Sequence, residues 1–80
     1  MTHQQAHPIL ITVLNRAWKV SESGNLWMAH ATRKQGEALR NIYRKCMHPT
    51  GGEYTIDVMV GDKRYICHLM QNNCITFSVF

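Results

Sequence analysis

The sequence predicts an α+β protein in which one amphipathic helix packs on one face of an antiparallel sheet. Three observations carry this prediction. The first is a helical pattern over residues 32–46, T-R-K-Q-G-E-A-L-R-N-I-Y-R-K-C, and the second is the alternation of apolar side chains over residues 53–60. The third is a set of turn-forming residues at which short strands can reverse. The apolar side of an amphipathic helix needs an apolar surface to pack against, and these strands supply one.

The length and the charge bound what such a protein can do. Eighty residues make one domain with a small core, and a hydrophobic content of 45% is typical of a globular chain. Nine Lys and Arg against five Asp and Glu give a formal charge of +4, which favours an anionic partner or serves solubility alone. No signal peptide is visible, and no apolar run approaches the roughly 20 residues that span a bilayer. With three cysteines, an odd number, this predicts a cytoplasmic protein with free thiols and no membrane partner.

The first third of the chain is predicted to form a lead-in and a strand hairpin. Residues 1–7 are polar and are expected to be disordered, so that residues 8–80 form the domain. Residues 8–20 fit two patterns: the proline that opens them suits a helix start, whereas their β-branched and aromatic residues suit a strand. We favour the strand, because residues 26–31 read as a short strand that needs a neighbour. Residues 21–25 between them have the composition of a turn.

The central helix has a clear start and a clear apolar side. Thr32 and Gln35 stand at the spacing of a capping box, in which each side chain bonds the backbone N–H of the other. At about 100° per residue, five residues form the apolar stripe: Ala38, Leu39, Ile42, Tyr43 and Cys46. Residues 47–52 then form a loop, because they contain Pro49 and two glycines.

The two strands after this loop are predicted to form a hairpin of fixed register. The glycine of the pair Gly61-Asp62 suits the first position of a two-residue type II′ turn. Closing that turn aligns the core positions of both strands. The predicted pairs are Val60 with Lys63, Val58 with Tyr65, Ile56 with Cys67 and Tyr54 with Leu69. A slip by one residue would turn the core side chains to the other face, so the register is well specified.

The last turn is predicted in the same way. A three-residue loop over residues 71–73 keeps apolar side chains opposite one another; the pairs are Leu69 with Ile75, Cys67 with Phe77 and Tyr65 with Val79. A two-residue turn would instead place Leu69 opposite Thr76 and break the core face. We therefore expect the longer loop, with one asparagine in the left-handed conformation. The predicted element order is β-β-α-β-β-β.

Seven cations are candidate binding residues. The outer side of the helix carries five and the hairpin tip carries two: Arg33, Lys34, Arg40, Arg44, Lys45, Lys63 and Arg64. On an anionic partner they would neutralise the phosphates of a nucleic acid or an acidic surface of a protein or nucleoprotein. If the partner is a nucleic acid, the affinity for it would fall steeply as the salt concentration rises. The alternative is a solvated face on which Glu37 pairs with Arg33 and Arg40.

The sheet face turned away from the helix is a second candidate surface. It is predicted to hold Met59, Arg64, Ile66, His68, Met70 and Cys74, with Trp27 or Phe80 beside them. Exposed apolar residues are common on monomers. Methionine, aromatic residues and arginine together are nevertheless typical of protein interfaces. A homodimer or another protein partner through this face is therefore an expectation.

Metal binding and catalysis are weakly indicated. The candidate zinc ligands are Cys46, His48, Cys67, His68 and Cys74. Their spacing contains neither C-x-x-C nor H-x-x-x-H. The candidate acid and base residues of a small toxin-type ribonuclease are His30, His48 and His68. No local spacing joins two of these histidines, so we predict no catalytic residue, no metal site, no cofactor and no enzyme activity.

The layout resembles that of small phage and prophage proteins, among them some anti-CRISPR proteins. The likeness rests on size, a strand hairpin, the capped basic helix of residues 32–46 and the meander that begins E-Y-T-I-D-V-M-V-G-D-K-R-Y-I-C-H. It covers the whole chain but is architectural, and it transfers no functional residue. It implies a non-enzymatic inhibitor that occupies a surface of a bacterial nucleic-acid-handling complex, such as a CRISPR effector. Direct nucleic-acid binding and a ribonuclease are the alternatives.

Overall fold

A computed structural model describes residues 4–44 and 54–79 of the chain. The elements are β1 (Gln4–Gln5), α1 (Pro8–Leu14), β2 (Trp18–Lys19), β3 (Leu26–His30), α2 (Arg33–Ile42), β4 (Tyr54–Val60), β5 (Lys63–Leu69) and β6 (Cys74–Val79). The strands form one sheet in the order β1-β4-β5-β6-β3-β2, in which β1 pairs with β4 in parallel and the other neighbours pair antiparallel. Both helices share one core with one face of this sheet. The predicted α+β class is therefore confirmed.

The N-terminal segment forms a helix where the sequence favoured a strand. The ring Nδ1 of His7 accepts a hydrogen bond from the backbone N–H two residues on at 3.1 Å, and the proline takes the first helical positions. Helical spacing then buries one side of α1, made of Leu10, Val13 and Leu14. Burial of this stripe outweighs the strand propensity of the β-branched residues. The predicted hairpin exists only as the short pairing of β2 with β3, and the element order becomes β-α-β-β-α-β-β-β.

Residues 4–7 are ordered, which corrects the expectation of a disordered lead-in over residues 1–7. β1 pairs with the end of β4, and the backbone N–H of Ala6 donates to the Met59 carbonyl at 2.8 Å. An edge strand is held by backbone hydrogen bonds, which form with polar as well as apolar side chains. A polar composition therefore does not exclude a strand at the edge of a sheet. Residues 1–3 lie outside the described residues.

The capping box predicted at the start of α2 is present. Thr32 Oγ1 accepts from the Gln35 backbone N–H at 3.1 Å, and Gln35 Oε1 accepts from the Thr32 backbone N–H at 3.0 Å. α2 is shorter than the predicted span, because it ends at Ile42 with Tyr43 as its C-cap. Cys46, the last residue of the predicted stripe, lies outside the described residues.

The buried side of α2 is rotated away from the predicted stripe. Leu39 and Tyr43 are buried as expected, but Ile42 is 41% exposed. The side of α2 that carries Gly36 and Arg40 instead faces the turn between β5 and β6. The prediction that Ile42 lies in the core is therefore wrong. The sequence pattern could not show this rotation. An apolar side chain indicates which side of a helix is buried, and Gly36 has no side chain that could give this indication.

Gly36 lets the β5–β6 turn approach α2 closely. A Cβ at this position would overlap the side-chain amide of Asn73. The same Asn73 Oδ1 accepts from Arg40 Nη1 at 2.8 Å, and Arg40 Nη2 donates to the Met70 carbonyl at 3.0 Å. The backbone N–H of Ala31, just before α2, donates to the Asn73 carbonyl at 2.9 Å. Arg40 therefore bridges the helix to the sheet.

Gly36→Ala is expected to destabilise the protein, although alanine is favoured over glycine within a helix by about 1 kcal/mol. The added methyl group must push the Asn73 amide away from Arg40, and hydrogen bonds to a charged group contribute about 1.5–3 kcal/mol. We expect a net loss of about 1 kcal/mol in the free energy of unfolding, measured by urea denaturation.

The Asn73→Gly background supplies the matched control. Asn73 has φ +64°, which glycine adopts readily, and glycine carries no amide to collide with the new methyl group. In this background Gly36→Ala should stabilise the protein by about 1 kcal/mol, so the sign reverses. An equal loss in both backgrounds would show that Asn73 is not what excludes a side chain at Gly36.

The predicted register of the meander is confirmed. All four pairs expected between β4 and β5 are present, and so are the three expected between β5 and β6. Gly61 has φ +65° at the first turn position, as a type II′ turn requires, and Asn73 is the asparagine in the left-handed conformation. The meander therefore places its core and outer side chains as the alternation indicated.

The core lies between the two helices and one sheet face. Its largest fully buried side chains are Leu10, Val13, Leu39, Tyr43, Ile56, Val58, Cys67, Leu69 and Ile75. Tyr54 and Tyr65, which were predicted to be buried, are half-buried and pack against this cluster. Within the described ranges, neither helix has the length and apolar character needed to cross a membrane.

Candidate binding surfaces

The first turn of α2 carries a cluster of exposed cations. Arg33 and Lys34 are both exposed, and Arg33 Nε lies 3.6 Å from Glu37 Oε1 in an i, i+4 pair. Arg16, which follows α1, reaches the same turn, because its Nη1 donates to Gln35 Oε1 at 2.9 Å. We call Arg16, Arg33 and Lys34 the basic corner.

The side chain of Gln35 connects Arg16 to the first turn of α2. Its Oε1 accepts from the Thr32 backbone N–H and from Arg16 Nη1, so one oxygen both caps the helix and holds the arginine. The positive end of the helix dipole lies at this turn and adds to the field of the cations. Sequence reasoning missed Arg16, because its segment was interpreted as a strand and no local pattern connects it to a residue 19 positions away.

The other helix cations predicted to join this surface are placed differently. Arg44 is exposed beyond the end of α2, about 16 Å along the helix axis from Arg33. Arg40 is half-buried and bonds the β5–β6 turn, which corrects the expectation that it projects into solvent with its neighbours. Lys45 lies outside the described residues.

The two cations of the β4–β5 hairpin do not extend the basic corner. Lys63 is exposed at the tip, about 20 Å along β5 from the turn against which α2 docks. Arg64 points to the opposite side of the sheet from the helices and pairs with Asp57, through Nε to Oδ1 at 3.1 Å and Nη2 to Oδ2 at 2.6 Å. The hydrogen bonds that Arg64 donates to the Asp57 carboxylate raise the pKa of Arg64 above its ordinary value.

The sheet face turned away from the helices is the second surface, which we call the open face. Strand alternation directs five large apolar side chains to it: Trp18, Leu26, Met28, Met59 and Ile66. Its polar side chains are Gln5, His30, Thr55, Asp57, Arg64, His68, Thr76 and Ser78. Met70 and Cys74 adjoin them at the β5–β6 turn, as predicted. Trp27 instead packs against the core, and Phe80 lies outside the described residues.

The open face mixes apolar with polar side chains, and the charges of its described part cancel. Trp18 is 46% exposed, with its ring centroid 5.2 Å from that of His30, and Thr55 Oγ1 lies 3.3 Å from His68 Nδ1. The charges of the face in the described part of the chain are those of Asp57 and Arg64, which cancel. The open face and the basic corner therefore suit different ligands.

The sheet separates the candidate zinc ligands. Cys67 lies in the core, whereas His68 and Cys74 belong to the other side. Cys46 and His48 lie outside the described residues, and the described ones contain no group of three or more His, Cys, Asp or Glu placed to hold a metal ion. Cys67 and Cys74 are free and buried. Burial, with a smaller effect of Asp57, raises the pKa of Cys67 to about 12, so this thiol stays protonated at neutral pH.

The described histidines do not form an acid–base pair. His30 and His68 stand two strands apart on the open face, about 10 Å across the sheet, because β6 lies between β3 and β5. Each has a different neighbour, the ring of Trp18 for His30 and the hydroxyl of Thr55 for His68. His48, the third candidate, lies outside the described residues.

Comparisons with protein-family models, with curated proteins and with solved structures find no match for this chain. What the chain binds is therefore inferred from its two surfaces. One is a group of three cations at the first turn of α2, and the other is a partly apolar sheet face whose described charges cancel.

Proposed function

We propose that this chain is a small non-enzymatic binding protein of mobile-element type that inhibits or modulates a nucleic-acid-handling complex, such as a CRISPR effector. The basic corner makes the contact with an anionic surface of that complex. The observation that carries this proposal is the bond from Arg16 to Gln35, which brings a cation from the segment after α1 to the helical turn that also carries Arg33 and Lys34.

The cations of the basic corner are available to a ligand. A guanidinium has five N–H donors, and the bond from Arg16 to Gln35 uses one of them. Arg33 and Glu37 form an exposed pair at 3.6 Å, and such pairs contribute so little that Arg33 can exchange Glu37 for a stronger partner. Two arginines also favour bidentate contacts with carboxylates or phosphates.

The size of the basic corner favours a protein or nucleoprotein surface over free nucleic acid. The steep salt dependence typical of duplex-DNA binding comes from about 6–10 phosphate contacts. The corner offers three cations, and the cations at Arg44 and Lys63 stand well apart from it. Three cations suffice to fix the position and on-rate of a protein contact, in which apolar neighbours supply the remaining affinity.

Lys34→Glu is expected to weaken inhibition by about tenfold or more, because it places a like charge against an anionic surface. The assay is target-DNA cleavage by a panel of purified CRISPR effector complexes in the presence of the purified chain. Lys63→Glu is the matched control, because it makes the same charge change at an exposed lysine far from the corner. It should inhibit as the unchanged chain does.

Three outcomes would count against this proposal. Equal inhibition by both variants would exclude the basic corner as the contact. Inhibition of no complex in the panel would remove the effector class as the target. Tight binding to duplex DNA or RNA alone, with a log–log salt slope near the number of phosphates contacted, would replace the proposal with direct nucleic-acid binding.

A further inference from the structure

We infer that two copies of this chain associate through the open face into a symmetric dimer. Each sheet would cover the other, and the helices would form the two outer layers. This inference does not rest on the proposed function, because the basic corner lies on the helix layer and the open face lies on the other side of the sheet.

The large apolar side chains of the open face, which stand among polar ones, have no cover within the described chain. Ile66 and Met28 are half-buried on β5 and β3, on either side of β6, and Leu26 and Trp18 are exposed beside them. Both helices pack on the opposite face. Tryptophan, methionine and arginine are enriched in protein interfaces relative to the rest of a surface, and this face contains all three.

The charge of the open face fits a second copy better than an anionic partner. Asp57 and Arg64 neutralise each other through two hydrogen bonds, so the described part of the face contributes nothing to the net charge of +4. Each charge of the pair keeps its partner when water leaves, so two copies can bury the pair without leaving an unpaired charge. A nucleic acid would find no net positive charge here.

The area of the open face is sufficient for a weak, specific dimer. The strands are about 4.8 Å apart and rise about 3.3 Å per residue, so the projected area of the six-stranded sheet is about 450–500 Å². The solvent-accessible area of this face is larger, because its side chains make the surface uneven. Two copies whose open faces overlap over their full area, at the usual sheet separation of about 10 Å, bury about 1,000 Å² or more, the least expected of a specific interface. We expect dissociation in the micromolar range.

A sedimentation-velocity series from about 1 to about 300 µM tests this inference, because interfaces at the small end of the size range are often weak. The unchanged chain should approach twice the mass of one chain as its concentration rises. Ile66→Glu should remain monomeric, because Ile66 lies on one of the two middle strands and a two-fold axis would bring the new carboxylates together. Ile42→Glu is the matched control, because it makes the same change at an exposed isoleucine of α2, and it should dimerise normally.

A second variant tests the inference even if Ile66→Glu does not fold. Thr76→Glu adds the same charge beside it, at a half-buried polar position of β6, and removes no apolar side chain. It should be folded by circular dichroism and monomeric. The inference is overturned if the unchanged chain is a monomer throughout the series, or if a folded Ile66→Glu or Thr76→Glu variant dimerises as the unchanged chain does.

Discussion

Leu39→Ala is expected to lower the free energy of unfolding by about 2–5 kcal/mol, as truncations of buried leucines do. Leu39 has no exposed surface and packs in the cluster that joins both helices to the sheet. Its loss leaves a cavity that the surrounding strands can close only in part. For a domain of this size, whose total stability is about 5–10 kcal/mol, this is a large fraction.

Ile42→Ala, three residues further along α2, is the matched control. Ile42 is 41% exposed, so its truncation should cost less than about 1 kcal/mol. Both variants place alanine in the same helix, so differences in helix propensity contribute little to the contrast. Urea denaturation of the two proteins compares them directly. Equal losses at both positions would contradict the rotation of α2 that turns Gly36 and Arg40 toward the β5–β6 turn.

Leu10→Ala is expected to cost a similar amount, about 2–5 kcal/mol, for a different structural reason. Leu10 and Val13 are the fully buried residues through which α1 enters the core. Thr12→Ala, by contrast, should change the free energy of unfolding by no more than about 0.5 kcal/mol. Thr12 is exposed, and its hydroxyl donates to the Pro8 carbonyl of the same helix at 2.9 Å.

The comparison of positions 10 and 12 distinguishes a helix from a strand. Residues i and i+2 lie on one face of a strand but about 200° apart on a helix. In the helix only the leucine reaches the core, so the two losses should differ severalfold. Comparable losses at Leu10 and Thr12, measured by thermal and urea denaturation, would restore the strand that the composition of residues 8–20 favoured.

Local periodicity predicted the parts of the fold that depend on neighbours in sequence. The register of the meander follows from alternation and turn residues, and the start of α2 follows from a capping box. The rotation of α2 depends instead on a turn more than 30 residues away, which approaches a glycine. The helical state of α1 likewise depends on burial against residues distant in sequence, and β-branched composition argued against it.

The candidate surfaces were predicted only in part, for the same reason. Four of the predicted cations are exposed, as the sequence indicated: Arg33, Lys34, Arg44 and Lys63. Arg40 instead bonds a residue distant in sequence, which no local pattern shows. The partner of Arg64 could have been found. The predicted register places Asp57 diagonally across the hairpin from Arg64, within reach of a long side chain on the same face.

The order of strands in the sheet constrains how the chain reaches its native state. β4, β5 and β6 are consecutive in sequence and occupy the middle, while β1 lies at one edge and β3 with β2 at the other. The N-terminal half therefore has no sheet to dock on until the C-terminal half exists. A meander closed by two short turns forms quickly, whereas contacts that span most of the chain form late. During synthesis the apolar sides of α1 and α2 therefore emerge before β4, β5 and β6, the strands that form the middle of the sheet.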